Sequence, residues 1–470
     1  MMELMLALML PALTGVSWLI RFWKNSHWAA IAGYGYLLGI LATASAMLLW
    51  DTLGLRLSFW PLATLLILAS LLPLLLKRAP TTGTVSSHDP PEQSTWSRIA
   101  FWLLLGLLLL NYGGIFLEIL WRPLYPWDAW MNWAPKAKVW FELRELTPWI
   151  APGDWLHGTH PETAYTLGNP EASRYPSLVP LIQTWTALGA GSWKDNLVNL
   201  PWLLCAAALG LGFYGQARNL GVRPLNAMTL VFLLLTLPLI NVHTALGGYA
   251  DLWLTAFFGL SAISLFLWNQ KPEPIQFILF ILLALACTQI KMPGVIWTAL
   301  LLSAWLVSLW PRSMSVAGTL LLITGGIIFW QTGGGSIEIP GLGKMAVSAK
   351  RIIVPGLGYY AIDYHPVWKA VADQYLLKGS WHLLMWTFPL ILLYAALRRR
   401  FSLQLLPATL LVGEILVFLF LAFFFTSHYR EALDGTTLSR ASLPAVPVLF
   451  FYVLMLLQGE RPETSPPASE

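Results

Sequence analysis

RIAFWLLLGLLLLNYGGIFLEIL, residues 98–120, runs directly into WRPLYPWDAWMNWAPKAKVW, residues 121–140. The first segment meets the requirement for a membrane-crossing helix, about 20 mostly apolar residues. The second breaks at Pro123 and Pro126 and carries four tryptophans after Trp121, a residue type that favours the membrane–water interface. Together they read as a span that emerges from lipid into an aromatic loop lying on the membrane surface. Working outward, comparable apolar runs cover 4–20, 28–50, 58–76, 196–215, 225–241, 249–268, 274–290, 293–310, 316–330, 381–397, 404–426 and 441–457. With 98–120 they predict an all-α polytopic membrane protein of about thirteen transmembrane helices, with interfacial helices in two long outer loops. The run 177–191 is shorter and ends in glycine, which predicts a re-entrant or interfacial helix.

Composition agrees. Of 470 residues, 57% are hydrophobic and 11% charged, and the mean hydropathy is +0.63. A soluble domain carries roughly a quarter charged residues, and single soluble cores stop growing well below this length. Lipid must therefore cover the apolar surface. The net charge of +5 is too modest to point to nucleic acid. Cys205 and Cys287 both lie inside apolar runs and read as small packing residues rather than a disulfide or metal motif. Residues 1–20 start with an acid, Glu3, and lack a basic n-region, so they read as a first span rather than a signal peptide.

Basic residues set the expected orientation. Arg21 and Lys24, Lys77 and Arg78, Arg218 and Arg223, Lys271, Arg312 and the Arg398–Arg399–Arg400 triplet fall in alternate loops, which places those loops in the cytoplasm. The N-terminus is then outside, the C-terminus inside, and the long loops 121–176 and 331–380 face outward. The stretch 79–97 is polar and rich in Pro, Ser and Thr, and reads as a disordered cytoplasmic linker, as does the tail 459–470. The linker divides a three-helix unit, 1–78, from a main membrane module, 98–330, followed by the second outer loop and the C-terminal helices 381–458.

Polar residues at the outer boundary are the candidates for chemistry. Asp128 lies between Trp127 and Trp130, with Trp133, Lys136 and Lys138 following. From the residues alone, that pattern suits an interfacial helix whose first turn is capped by the aspartate. Asp251 opens a span, where an acid is either a dipole partner or a functional carboxylate. Lys291 interrupts an apolar stretch, either snorkelling or holding an anion. Arg440 stands ahead of the last span, and a guanidinium suits an oxyanion. His157 and His160 are weak candidate ligands for a divalent metal. Gly341-Leu342-Gly343-Lys344 lacks the spacing of a P-loop, and no HExxH, GxSxG or Asp-x-Asp motif is present.

The order of these features resembles the GT-C superfamily of membrane glycosyltransferases, particularly the family-39 and lipid A aminoarabinose transferase type. Asp128 matches an acid early in the first long periplasmic loop of those enzymes. Gly153-Asp154-Trp155 and Tyr175-Pro176-Ser177-Leu178 resemble their loop and re-entry motifs. Tyr249-Ala250-Asp251 resembles an Ala-Asp at the head of a middle span, and Lys291-Met292-Pro293-Gly294 a Lys-Gly-Pro turn. Arg440 through Pro447 resembles a late Arg-Tyr-Leu-Leu-Pro pattern. The likeness spans about 98–457. It departs at Ala129, where those enzymes often carry a second acid, so that Asp154, Glu162 or Asp251 would have to supply one. The three helices before 98 are extra.

The resemblance implies transfer of a sugar, with inversion, from a polyprenyl-phosphate donor to a glycan, lipid or protein acceptor at the periplasmic face of a bacterial inner membrane. For that reaction Asp128 is expected as base or acceptor orienter, and the departing phosphate needs cations, for which Arg440, Lys291 and Lys138 are the candidates with Lys136 behind them. Trp127, Trp130, Trp133, Asp154, Tyr175 and Asp251 would bind sugar or acceptor. The prediction open to a structural test is that Asp128, Lys291 and Arg440 converge. Two alternatives remain at this stage. One is a polysaccharide ligase or polymerase using Lys350, Arg351 and His365 of the second loop. The other is a lipid or solute transporter, which would place polar groups near the bilayer midplane.

Overall fold

The computed structural model describes residues 1–76, 94–158, 161–166, 169–309, 312–339, 343–348, 350–354 and 358–458. Three helices come first: α1 (Met2–Phe22), α2 (Trp28–Thr52) and α3 (Phe59–Leu75). Next are α4 (Thr95–Trp121), a π-helical turn (Ala129–Trp133), α5 (Ala134–Leu143), α6 (Pro152–Leu156) and α7 (Leu178–Ala190). The middle of the chain forms α8 (Leu200–Asn219), α9 (Pro224–Leu235), α10 (Pro238–Ala245), α11 (Asp251–Gln270), α12 (Pro274–Cys287), α13 (Gly294–Ser308) and α14 (Arg312–Gln331). After a small sheet come α15 (Trp368–Ala372), a second π-helical turn (Asp373–Leu377), α16 (Leu384–Leu397), α17 (Leu406–Phe425), α18 (Tyr429–Asp434), α19 (Leu438–Ser442) and α20 (Ala445–Gln458).

Every apolar run read from the sequence is helical. Among the described residues, six helical segments are long and apolar enough to cross a membrane: α1, α2, α4, Leu197–Asn219 around α8, α11, and Leu403–Phe425 around α17. The pair α9 and α10 makes a seventh if counted as one span, bent by 63°. The bend has a local cause, because Pro238 cannot continue the hydrogen-bond ladder of α9. The remaining apolar helices α3, α7, α12, α13, α16 and α20 are shorter than a simple span. The chain is thus a helical membrane-spanning protein.

α11 lies at its centre, with every residue from Asp251 to Leu267 buried. Such all-round apolarity marks a helix enclosed by others. α8, α12 and α20 pack on it. The first three helices join the same core. Glycines let their backbones approach closely: a Cβ on Gly39 would fall 1.6 Å from the Pro11 carbonyl oxygen, and one on Gly33 would fall 2.3 Å from the Gly212 nitrogen. The Tyr34 hydroxyl donates to the Leu260 carbonyl at 2.7 Å, and the Trp185 indole donates to the Ala7 carbonyl at 2.8 Å.

Three expectations change in detail. α7, read as re-entrant or interfacial, is buried from Leu178 through Gly189. The end of the expected linker 79–97 belongs to α4, whose first turn is capped by the Ser94 hydroxyl accepting from Ser97 N at 3.2 Å; the rest of that linker, and the tail 459–470, lie outside the described residues. The second long loop, 331–380, is not helical throughout. It forms an antiparallel meander of β1 (Gly335–Ile339), β2 (Gly343–Ser348), β3 (Arg351–Val354) and β4 (Gly358–Ala361). Ile337 stands opposite Met345, and Ile352 opposite Tyr360. β-branched and aromatic residues favour a pleated surface, but runs this short carry too little periodicity to announce strands.

Candidate active site

Four charged side chains from four distant segments meet at one end of the bundle. Asp128 ends the connection after α4. Asp251 is the first residue of α11. Lys291 sits in the break between α12 and α13, and Arg440 lies on α19. The Lys291 ammonium donates to Asp251 Oδ1 at 2.7 Å. The Arg440 guanidinium donates to Asp251 Oδ2 through Nη2 at 2.8 Å and Nε at 3.3 Å. The same Nη2 pairs with Asp128 Oδ2. Two carboxylates and two cations thus form a neutral network, with Arg440 shared between the acids.

The partners differ in solvent access. The Asp251 side chain is 5% exposed, against 20% for Asp128, 21% for Arg440 and 17% for Lys291. Asp251 is the buried anchor for Lys291 and Arg440, and Asp128 joins through Arg440 from the more open side. Burial of an acid is tolerated here because both of its oxygens are paired. Below the guanidinium, the Tyr249 ring lies 4.4 Å from Arg440 Cζ, in cation–π range. His243 completes the floor, with its ring 5.0 Å from that of Tyr249 and Nε2 3.8 Å from Asp251 Oδ2. Its Nδ1 meets the Leu239 carbonyl at 2.9 Å, while Nε2 is buried with no hydrogen-bond partner among the described residues.

Small residues permit this convergence. Gly248 has φ +103, and a Cβ there would lie 2.5 Å from the Ala129 Cβ. Ala129 is fully buried against it. A glutamate at 129, as in the Asp-Glu pattern of the GT-C enzymes, would not fit between these backbones. Gly294 plays a similar part behind Lys291, since a Cβ would fall 1.9 Å from the Cys287 carbonyl oxygen. That contact makes the tight break that turns Lys291 toward Asp251.

The capping role read for Asp128 is not what the side chain does: it makes no cap hydrogen bond to the π-helical turn that follows. Its carboxylate goes to Arg440 instead, because that cation comes within reach only in the folded chain. Trp127 and Trp130 remain exposed as an edge-to-face pair at 4.8 Å, whereas Trp133 is buried and packs edge-on against Tyr175 at 4.7 Å. Trp133 and Tyr175 therefore build the loop's interior. So does Lys136, which is buried and donates to the Ala172 and Tyr175 carbonyls at 3.2 and 3.1 Å. Burial lowers its pKa to about 8. Its ammonium is committed to the loop and not to the ion network. Lys138 is exposed on α5, and Asp154 and Glu162 are exposed outside the network.

Among the described residues no group of three His, Cys, Asp or Glu could hold a metal ion. The His157 ring meets the Gly153 carbonyl of its own short helix, and His160 lies outside the described residues. In the second loop, His365 stacks on Tyr429 at 3.7 Å and Arg351 lies in β3.

Sequence reading singled out neither His243 nor the second π-helical turn. A histidine inside a broken span is itself a functional signal. The second π-helical turn carries none in its sequence, yet it holds α19: the Tyr375 hydroxyl and Ser442 Oγ are 2.5 Å apart, and Ser439 Oγ donates to Gln374 Oε1 at 3.4 Å. No family model matches this chain, and neither a curated protein nor a solved structure does.

Proposed function

We propose that this protein is an inverting membrane glycosyltransferase that moves a sugar from a polyprenyl phosphate to an acceptor hydroxyl or amine. The observation that carries the reading is the meeting of Asp128, Asp251, Lys291 and Arg440 in one partly open network. A polyprenyl-phosphate donor needs cations where its phosphate departs, and no general acid, because the leaving group is already an anion. Electrostatic preorganisation of this kind is commonly the largest catalytic contribution. It also needs a base at the acceptor, worth about 10²–10⁴-fold.

The network suggests how both needs are met. Asp251 fixes Lys291 and Arg440 from below, while Asp128 holds Arg440 from the more open side. The donor phosphate takes over the Arg440 Nη2 contact, which frees the Asp128 carboxylate. Asp128 then accepts the acceptor proton as the acceptor oxygen or nitrogen bonds to the anomeric carbon. The anomeric C–O bond breaks with its electron pair on the phosphate, leaving polyprenyl phosphate and an inverted glycoside. Exposed Trp127 and Trp130 offer faces for sugar or prenyl chain, and Lys138 is an exposed cation on α5.

We place this end of the bundle on the outer face of a bacterial inner membrane, with about thirteen crossings once the shorter apolar helices are counted. The support is charge. α11 runs from Asp251 at the network to Lys271 just past its other end, and the far ends of α8 and α16 carry Arg218 and Arg398.

Undecaprenyl phosphate, the shared product of such reactions, is the probe that does not require knowing the sugar. Purified protein in nanodiscs should bind it, and Arg440→Gln should weaken that binding at least tenfold. Asp128→Asn should bind it more tightly than wild type, because the competing carboxylate is gone, while transfer of a labelled polyprenyl-linked sugar is lost. Full transfer by Asp128→Asn at normal protein level and topology would sink the proposal.

A further inference from the structure

A second charged feature lies at the other end of the molecule. α17 is 20 residues long, or roughly 30 Å at 1.5 Å per residue. Its C-terminal end leads through α18 to α19 and the ion network, so its N-terminal end is far from that site. There, between the end of α16 and the start of α17, the chain forms an open concavity of about 630 Å³. Arg398, Arg399, Arg400, Phe401, Leu403 and Gln404 line it. The volume is within the range of ligand pockets, roughly 300–1,000 Å³.

Three observations point to an anion in it. No carboxylate pairs with any of the three arginines among the described residues, in contrast to Arg440. Arg399 has φ +51, the left-handed conformation that follows a helix end and that glycine adopts without cost. The carbonyls at the end of α16 are satisfied without any arginine side chain: Arg398, Arg399 and Arg400 donate their backbone N–H groups to Tyr394, Ala396 and Ala395. The three arginine side chains are therefore not taken up by that helix end.

The rim identifies the kind of anion. Leu397, Phe401 and Leu403 are exposed beside the arginines, where the apolar helix α16 meets the candidate span Leu403–Phe425. Free phosphate would leave them uncovered, whereas acyl chains would cover them while the headgroup phosphate meets the guanidinium groups. We propose that this concavity binds an anionic phospholipid, in the leaflet opposite the Asp128–Arg440 network, as basic pockets between membrane helices do. The proposal does not depend on the glycosyltransferase reading.

The experiment is lipid titration of the full-length protein. Thermal unfolding and native mass spectrometry would be followed in nanodiscs of pure phosphatidylcholine and in nanodiscs with added phosphatidylglycerol. Wild type should retain phosphatidylglycerol preferentially and unfold at a higher temperature with it, and inorganic phosphate at millimolar concentration should reproduce neither effect. Arg399→Gly removes one guanidinium while relaxing the backbone. It should unfold no lower than wild type in pure phosphatidylcholine, yet show a several-fold weaker preference for phosphatidylglycerol. Combined with Arg398→Gln and Arg400→Gln, it should lose that preference at least tenfold. An unchanged preference in the triple variant overturns the proposal. An equal shift from inorganic phosphate also overturns it, by showing a free-anion site instead.

Discussion

Each carboxylate oxygen of Asp251 meets its own cation, Oδ1 the Lys291 ammonium at 2.7 Å and Oδ2 the Arg440 guanidinium at 2.8 Å. Removing that one acid strands Lys291 and leaves Arg440 with Asp128 alone, and breaking a buried pair from one side costs about 3–5 kcal/mol. Asp251→Asn should therefore lower thermal stability clearly. Pairing it with Lys291→Met should restore part of the loss, because fewer uncompensated charges remain; equal instability of the single and double variants would contradict this account. Asp128→Asn, at the more exposed edge, should cost much less. Asp251 was readable as a candidate because an acid at the head of a span is conspicuous. Its partners were not readable as partners, since 40 residues separate it from Lys291 and 189 from Arg440.

Two π-helical turns flank the network at the scale of the element, and π turns are frequent at functional sites. The first carries the chain from Asp128 into α5. The second, Asp373–Leu377, braces the short helix that presents Arg440. Tyr375→Phe removes the hydroxyl shared with Ser442 and should cost about 1 kcal/mol of stability. If the brace positions Arg440, undecaprenyl phosphate binding should weaken as well, a change that a purely structural contact would not produce. Lys136 tests the opposite case. Its sequence context suggested a phosphate ligand, but Lys136→Met should destabilise the first long loop by about 2 kcal/mol through two lost charge-assisted bonds. It should leave undecaprenyl phosphate binding near wild type. Burial holds the Lys136 pKa at about 8, below its unfolded value. The unfolded chain therefore binds more protons between about pH 8 and 10.5, and this residue's contribution to stability rises with pH across that window. Unfolding temperatures of wild type and Lys136→Met measured across that window should diverge accordingly.

For the whole molecule, backbone proximity at glycine is the governing constraint. Gly39 and Gly33 seat α2 against α1 and α8, with no room for a Cβ. Gly39→Leu would force those helices apart, at a cost of at least about 1–3 kcal/mol for overpacking, and should reduce the yield of folded protein in detergent. Gly113→Leu, on open space in α4, is the matched control and should be tolerated. Residues 1–76 look separable in sequence because a polar stretch follows them, yet their helices share one core with α7, α8 and α11.

The sequence by itself determined the solvent and the elements. Its apolar runs, each helical, require lipid around them, since an unpaired backbone in hydrocarbon is prohibitively costly and helices satisfy it locally. It also marked Asp128, Asp251, Lys291 and Arg440, because charge beside an apolar span is rare. Tertiary structure alone decided that these four meet, that Asp128 pairs with Arg440 instead of capping a turn, and that Lys136 faces inward. The same holds for the strands of the second loop and for the arginine-lined concavity. Helix formation and lipid burial follow from residues near one another in the chain. An ion network across hundreds of residues depends on which backbones can approach, and that is settled only when the bundle is packed.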